Sequence, residues 1–352
     1  MAVALRTEAA DSTASEAALE RLLAEGRAFS GEFPVMLANH LPMVLVAMQR
    51  LGGSPERLAE FFAHYRETNH LVTLPPSVAP IERANWSGAL GNRNREGDYR
   101  SFMRGEVMRL RPRAAIATYL PALLPGIAAS ATHGLMRLGY GVLRGDVEEI
   151  GTALGYWSAT YIELGKSTGA VPVTDDPAEV LVRMRPVEAY RHVEPELDLL
   201  WHFMREMAKQ PEFRPLVDWL AIGPDTFERV RRASLALYAG TMDFCALHAL
   251  TGCHWQRLIR PLNPAPDLTL RYFWQSIAAL YPKIGFPDLP SAAMLDDWRR
   301  APAPDWPEIA AVAVRSNDEH DLSLVFSARE EWKVYGDRLY QVVAARRMKL
   351  IP

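Results

Sequence analysis

An all-α fold is predicted for this 352-residue chain from three observations. Nearly every apolar pattern has the helical period, its boundaries carry helix caps or an opening proline, and strand signals are scarce. The predicted architecture is a single large helical domain over residues 16–352 with a central histidine-lined pocket. Residues 1–15, rich in Ala, Glu and Thr, read as a disordered N-terminal tail and lack the apolar core of a secretory signal.

Taken in order, His40 precedes Pro42, which opens a helix carrying Met43, Val46 and Met48. Ser54-Pro55 opens another through Phe61, Phe62 and Tyr65. Pro125 opens a helix predicted over Gly126 to Val142, on which His133 shares a face with Gly126, Ala129, Ser130, Met136 and Tyr140. Asp146 with Glu149 three residues on resembles a capping box and opens Val147 to Gly165. Further helices are predicted at Glu194 to Ala208, Leu268 to Tyr281, Trp306 to Arg315 and His320 to Val334. The longest amphipathic pattern runs from Phe227 to Leu250 and on to Arg257, placing His248 on the stripe of Val230, Leu237, Thr241 and Phe244. Pro-rich joints at Leu74 to Pro80, Arg185 to Pro195 and Leu262 to Leu268 read as turns within one domain. No internal repeat of 20 to 50 residues is found, which argues against a solenoid.

The composition narrows the function classes. With 49% hydrophobic and 23% charged residues and a formal net charge of −3, the chain has no global field for nucleic acid or an anionic membrane. No run reaches the ~18 apolar residues of a membrane span, so a cytoplasmic protein is expected. Two cysteines, Cys245 and Cys253, fit a reducing compartment. There is no GxxxxGK[ST] loop, no GxGxxG after a strand and no GxSxG elbow, so nucleotide, dinucleotide and α/β-hydrolase chemistries lose their usual signatures.

Four histidines lie beside apolar runs: His40, His133, His248 and His320. Buried imidazoles are costly to leave unpaired, so each has a private hydrogen-bond partner or they share a metal ion. Both readings stand at this level. His40 and His320 fall near helix N-termini, where imidazolium is disfavoured and where a simple capping role also serves. For His133, hydrogen bonding inside a tight helix crossing is the ordinary alternative. His254 lies about 240° around the helix from His248 and is a reserve ligand, reachable only through a break at Thr251-Gly252. His64, His70, His192 and His202 sit among polar neighbours and read as surface residues. Cys245 reads as core packing.

The strings Leu-Ala-Asn-His-Leu-Pro-Met, His-Gly-Leu-Met-Arg-Leu-Gly-Tyr, Leu-His-Ala-Leu-Thr-Gly-Cys-His and Asp-Glu-His, in this order, resemble the questin oxidase-like family from about His40 to beyond His320. The family includes fungal enzymes that oxidatively open anthraquinone rings. The resemblance implies an α-helical oxygenase with a non-haem iron centre, His40, His133, His248 and His320 as nitrogen ligands, and a carboxylated lysine as an anionic oxygen ligand. That lysine stands three residues after the last histidine, where this chain has Ser323. Ser323 forms no carbamate, and no carboxylate lies three or four residues beyond His320. The anion must then come from elsewhere in the chain, from water or from the substrate, or the iron chemistry has been altered or lost.

On this reading the substrate is a polycyclic aromatic or quinone-like small molecule and the co-substrate is dioxygen. Tyr140 and Trp274 are expected in the pocket wall, because flat ligands are held by offset stacking. Arg137, one turn after His133, is expected to orient a substrate oxygen beside Tyr140, with an inter-helix salt bridge as its alternative. NADPH or another reductant would arrive without a binding fingerprint in this chain. Nucleic acid and membrane are not expected as partners, and the oligomeric state is open. The competing readings are a helical small-molecule-binding protein that has lost turnover, and a zinc-dependent hydrolase.

Overall fold

The computed structural model describes residues 2–352, with side chains from Thr13 onward. The all-α prediction holds. In chain order the first helices are α1 (Ala2–Gly26), α2 (Leu41–Arg50), α3 (Pro55–Thr68), α4 (Glu96–Leu110), α5 (Pro112–Leu123) and α6 (His133–Arg144). Next come α7 (Val147–Ala159), α8 (Pro177–Met184), α9 (Leu200–Lys209), α10 (Thr226–Thr241) and α11 (Phe244–Ile259). The last are α12 (Pro266–Leu280), α13 (Ala292–Arg300), α14 (Trp306–Arg315), α15 (Glu319–Tyr335) and α16 (Leu339–Arg347). Among the described residues the sheet content is one hairpin, β1 (Glu32–Phe33) against β2 (Leu37–Ala38). No described helix is long and apolar enough to cross a membrane.

The chain forms two compact units, Met1–Leu74 with Asp296–Pro352, and Pro75–Leu295. The Pro-rich joint at Leu74 to Pro80 coincides with the passage between them. In the first unit α2 packs on α1, α3 and α15, and α15 on α14 and α16. Seven of the ten α2 residues are buried, Leu41 and Met43 through Met48, which is the pattern of a helix enclosed on every side. In the second unit α4, α6 and α7 pack together, α6 also meets α11, and α10 and α12 flank α11. Helix α11 is buried from Cys245 through Gln256 and is the counterpart of α2. Each unit thus encloses one helix that brings a histidine inside.

Local chemistry explains the boundaries. Ser54 accepts from the Arg57 amide, Asp146 from Glu149, Asp305 from Glu308 and Asp318 from His320, each satisfying a donor at a helix start. Five predicted elements differ. Helix α1 occupies the segment read as a tail, since an Ala-rich stretch is also strongly helix-forming. The long helix predicted from Phe227 breaks: Met242 takes a left-handed conformation at φ 50° and Asp243 caps α11 by accepting from the Cys245 amide at 2.6 Å. His248 therefore belongs to the start of a new helix and not to the stripe of Val230 and Leu237. The helix expected from Gly126 starts only at His133, because Ser130, Ala131 and Thr132 all have positive φ. Finally, α7 stops at Ala159 and α9 begins at Leu200, so the segments from Thr160 to Gly165 and from Glu194 to Leu199 are not helical.

Candidate functional site

In the first unit the hairpin delivers the backbone to His40. Val35 and Met36 turn it with positive φ, and Asn39 ties its exit by donating to the Ser30 carbonyl and accepting from the Leu41 amide. The His40 amide donates to the Tyr65 hydroxyl at 3.0 Å, and its ring Nδ1 donates to the Ala38 carbonyl at 2.8 Å. Across from it, the His320 ring lies edge-on with centroids 5.0 Å apart. His40 is buried, whereas His320 is 17% exposed, more open than the sequence implied. Asp318 holds His320 twice, accepting from its amide at 2.8 Å and from Nδ1 at 3.2 Å, while its second oxygen takes Arg347. Burial pushes the Asp318 carboxyl up, but the His320 hydrogen bonds and the Arg347 charge outweigh it and hold it at about 2.

Sequence reasoning missed Glu319. Its carboxylate lies 3.9 Å from His40 Nδ1, and ligand atoms of Asp318, Glu319 and His320 fall within 4.8 Å of one another. Burial raises its pKa above the ordinary carboxylate value. The signal was in the Asp-Glu-His string itself, but looking only three or four residues beyond His320 passed over it. Asp321 is committed elsewhere, accepting from Ser316 and Arg347.

In the second unit His133 is the first residue of α6. The left-handed run at Ser130 to Thr132 folds the backbone so that the Ser130 carbonyl accepts from His133 Nδ1; such strain clusters at sites that need a fixed geometry. Gly134 beside it is required by close approach, since a Cβ there would sit 2.8 Å from Trp157 Cγ. His248 on α11 meets His133 edge-on with centroids 5.6 Å apart, and its Nδ1 donates to the Phe244 carbonyl at 3.0 Å. Both rings are buried.

The four rings share one device. A carbonyl or carboxylate oxygen can only accept, so in each ring Nδ1 carries a proton, and the neutral form of such a ring has its lone pair at Nε2. Metal-binding histidines are oriented this way, and imidazole nitrogen suits iron, zinc, copper or nickel, so the donors fit a divalent transition metal. His254 and His202 are reversed. Their Nδ1 atoms accept from Arg257 and Arg205, each at 3.3 Å, which puts the proton on Nε2. His254 is on α11 with no break at Thr251-Gly252, so it turns away from His248. His202, expected at the surface, is buried against Trp201 with ring centroids 3.9 Å apart; burial and the neighbouring Arg205 lower its pKa. His64, His70 and His192 are exposed.

Arg137 and Tyr140 follow His133 along α6 at helical spacing and both are buried. Arg137 makes the inter-helix ion pair given as its alternative, Nε to Glu149 at 2.5 Å and Nη2 to the second oxygen at 3.3 Å. Its remaining Nη1 is buried with no hydrogen-bond partner among the described residues. Trp274 is buried on α12, and its indole nitrogen also has none. Cys245 is packed inside and burial pushes its thiol up to about 12, which suits packing and not ligation. Three clefts, of about 750, 290 and 550 Å³, are lined around Arg57 and Trp306, Phe227 and Arg260, and Lys166 and Arg214; none of the three is lined by histidine.

None of the curated proteins matches the chain. The family model described as Questin oxidase-like matches residues 37–327, which take in both histidine pairs, Arg137, Tyr140 and Trp274, and on that match the chain belongs to the Questin oxidase-like family.

Proposed function

We propose that the protein is an oxygenase that uses a histidine-bound non-haem iron to oxidise a polycyclic aromatic or quinone-like metabolite, C–C ring cleavage included. Family membership supports an oxidoreductase acting on a small aromatic molecule. The observation that carries the metal is the common ring setting: His40, His133, His248 and His320 all donate through Nδ1, and the two other buried histidines do not. Bound iron would supply activation of dioxygen.

The chain's own residues do the rest. The Nδ1 anchors fix each ring and raise the basicity of Nε2. Arg137 Nη1, buried and unpartnered, offers a charged donor to a quinone or phenolate oxygen while Glu149 holds the guanidinium in place. Tyr140 and Trp274 provide flat apolar walls, and the Trp274 indole N–H offers a further donor. No nicotinamide or flavin fingerprint is present, so a reductant, where needed, comes from solution or from a separate protein.

The test is metal content by mass spectrometry on protein purified without chelators, with the His40→Ala/His320→Ala and His133→Ala/His248→Ala double variants. Each double variant interrogates the pair of its own unit. Bound iron in the parent, reduced in each double variant by the share its own pair holds, and oxygen uptake with an anthraquinone are expected. A parent that takes up no iron even after anaerobic loading overturns the proposal and favours the second reading, a quinone-binding protein without turnover. Ser323 at the family's lysine position favours that reading. Retained zinc without oxygen uptake would point to a hydrolase.

A further inference from the structure

We infer that Glu319 is the anionic oxygen ligand of the metal, alongside the imidazoles of His40 and His320. The inference rests on the metal-centre reading above and names the donor that reading leaves open. Glu319 lies 3.9 Å from His40 Nδ1, too far for a hydrogen bond, and its oxygens share a 4.8 Å cluster with ligand atoms of Asp318 and His320. Its side chain is only 20% exposed. Among the described residues it has no Arg or Lys partner and donates to or accepts from no other side chain. A carboxylate drawn this far from water is ordinarily paired with a cation or a metal.

The other acids at the start of α15 are committed. Asp318 spends one oxygen on the His320 amide and ring and the other on Arg347. It is a positioning residue of the carboxylate–histidine type. Asp321 takes Ser316 and Arg347. Glu319 makes no hydrogen bond of that kind; it stands 3.9 Å from the His40 ring at Nδ1 and shares a cluster with Asp318 and His320.

A second observation points to the same place. Ser323, one helical turn after Glu319, is 2% exposed and its hydroxyl has no hydrogen-bond partner. Ser158 and Ser276, buried in their helices, bond back to the carbonyl four residues earlier; on α15 neither Ser323 nor Ser327 does. An orphaned buried hydroxyl calls for a water or an ion beside it, and the helical spacing puts this one on the Glu319 and His320 face. Two neutral imidazoles and one carboxylate form the donor set that holds divalent non-haem iron with positions left open for other ligands.

The experiment is anaerobic titration of the full chain with Co²⁺, read by visible absorption and by bound-metal stoichiometry, for the parent, Glu319→Gln, Glu319→Asp and Asp318→Asn. Glu319→Gln is expected to weaken Co²⁺ binding beyond the ~10–100-fold that outer-shell partners carry, and to change the absorption envelope. Asp318→Asn is expected to weaken it within that range and to keep the envelope. If Glu319→Gln is misfolded by circular dichroism, Glu319→Asp decides, with weakened binding and a shifted envelope expected. Parental affinity and spectrum in the folded Glu319 variants would overturn the inference and leave the metal centre standing. A parent that binds no Co²⁺ would overturn both.

Discussion

The imidazole of His133 stands edge-on to that of His248 at a centroid separation of 5.6 Å, and both rings are tethered through Nδ1 to backbone carbonyls. The tether and not burial sets them apart, since His254 is equally buried on the same helix as His248 but is turned by Arg257. His248→Ala is expected to reduce bound metal, and His254→Ala to leave metal stoichiometry unchanged while costing about 1–3 kcal/mol for a lost buried hydrogen bond. Metal analysis and urea denaturation on the two variants check this.

Glu106 gives the second unit a measurable acid sensitivity. Hydrogen bonds from Arg109 and Arg83, joined by Tyr119, hold its carboxyl well below the usual carboxylate range. Its depressed folded value means the stabilisation is fully present above the unfolded value of about 4.3 and is lost as pH falls below it. Glu106→Gln is expected to destabilise the protein by about 1–3 kcal/mol near neutral pH, since the arginines it leaves behind reach solvent, and to show a shallower loss of stability below pH ~4. Equilibrium unfolding between pH 3 and 7 reads both.

Arg137 and Glu149 are both largely buried, with side-chain exposures of 3% and 12%. Glu149→Leu alone strands a buried guanidinium and is expected to cost about 3–5 kcal/mol. The double change Arg137→Met/Glu149→Leu is expected to recover most of that stability, yet to weaken quinone binding by about tenfold, the equivalent of roughly 1.4 kcal/mol. Thermal denaturation beside quenching of tryptophan fluorescence by an anthraquinone separates the structural role from the ligand role.

Gly134→Ala places a methyl group against Trp157, whose indole donates to the Gly126 carbonyl at 2.9 Å and so cannot swing aside. Overpacking of this kind costs about 1–3 kcal/mol. A lower melting temperature and weaker metal retention, through displacement of the adjoining His133, are the expected readouts.

Much of this was legible in the sequence because it is local. Ser54 and Asp146 cap the helices that their side chains announce, and α14 has the predicted bounds Trp306–Arg315. The resemblance carried by the four histidine strings is matched by the family model over residues 37–327. The break at Met242 was invisible, because a methionine carries no left-handed preference and takes that conformation only when its surroundings impose it. The same holds for Ala131 and Thr132 ahead of His133. Glu319 escaped for a different reason: whether a residue next to a histidine turns toward a second histidine depends on how α15 lies on α2, a long-range packing that periodicity does not encode.

The first unit is assembled from the two ends of the chain, and the second is one continuous stretch between them. His133 and His248 can therefore come together while later residues are still being made, since domains fold as units during synthesis. His40 has no such freedom. It must wait, beside its hairpin, until the whole second unit and α15 have been translated. A polypeptide interrupted before α15 would carry His40 with neither His320 nor Glu319, so this pair of rings forms only after the second unit has been made.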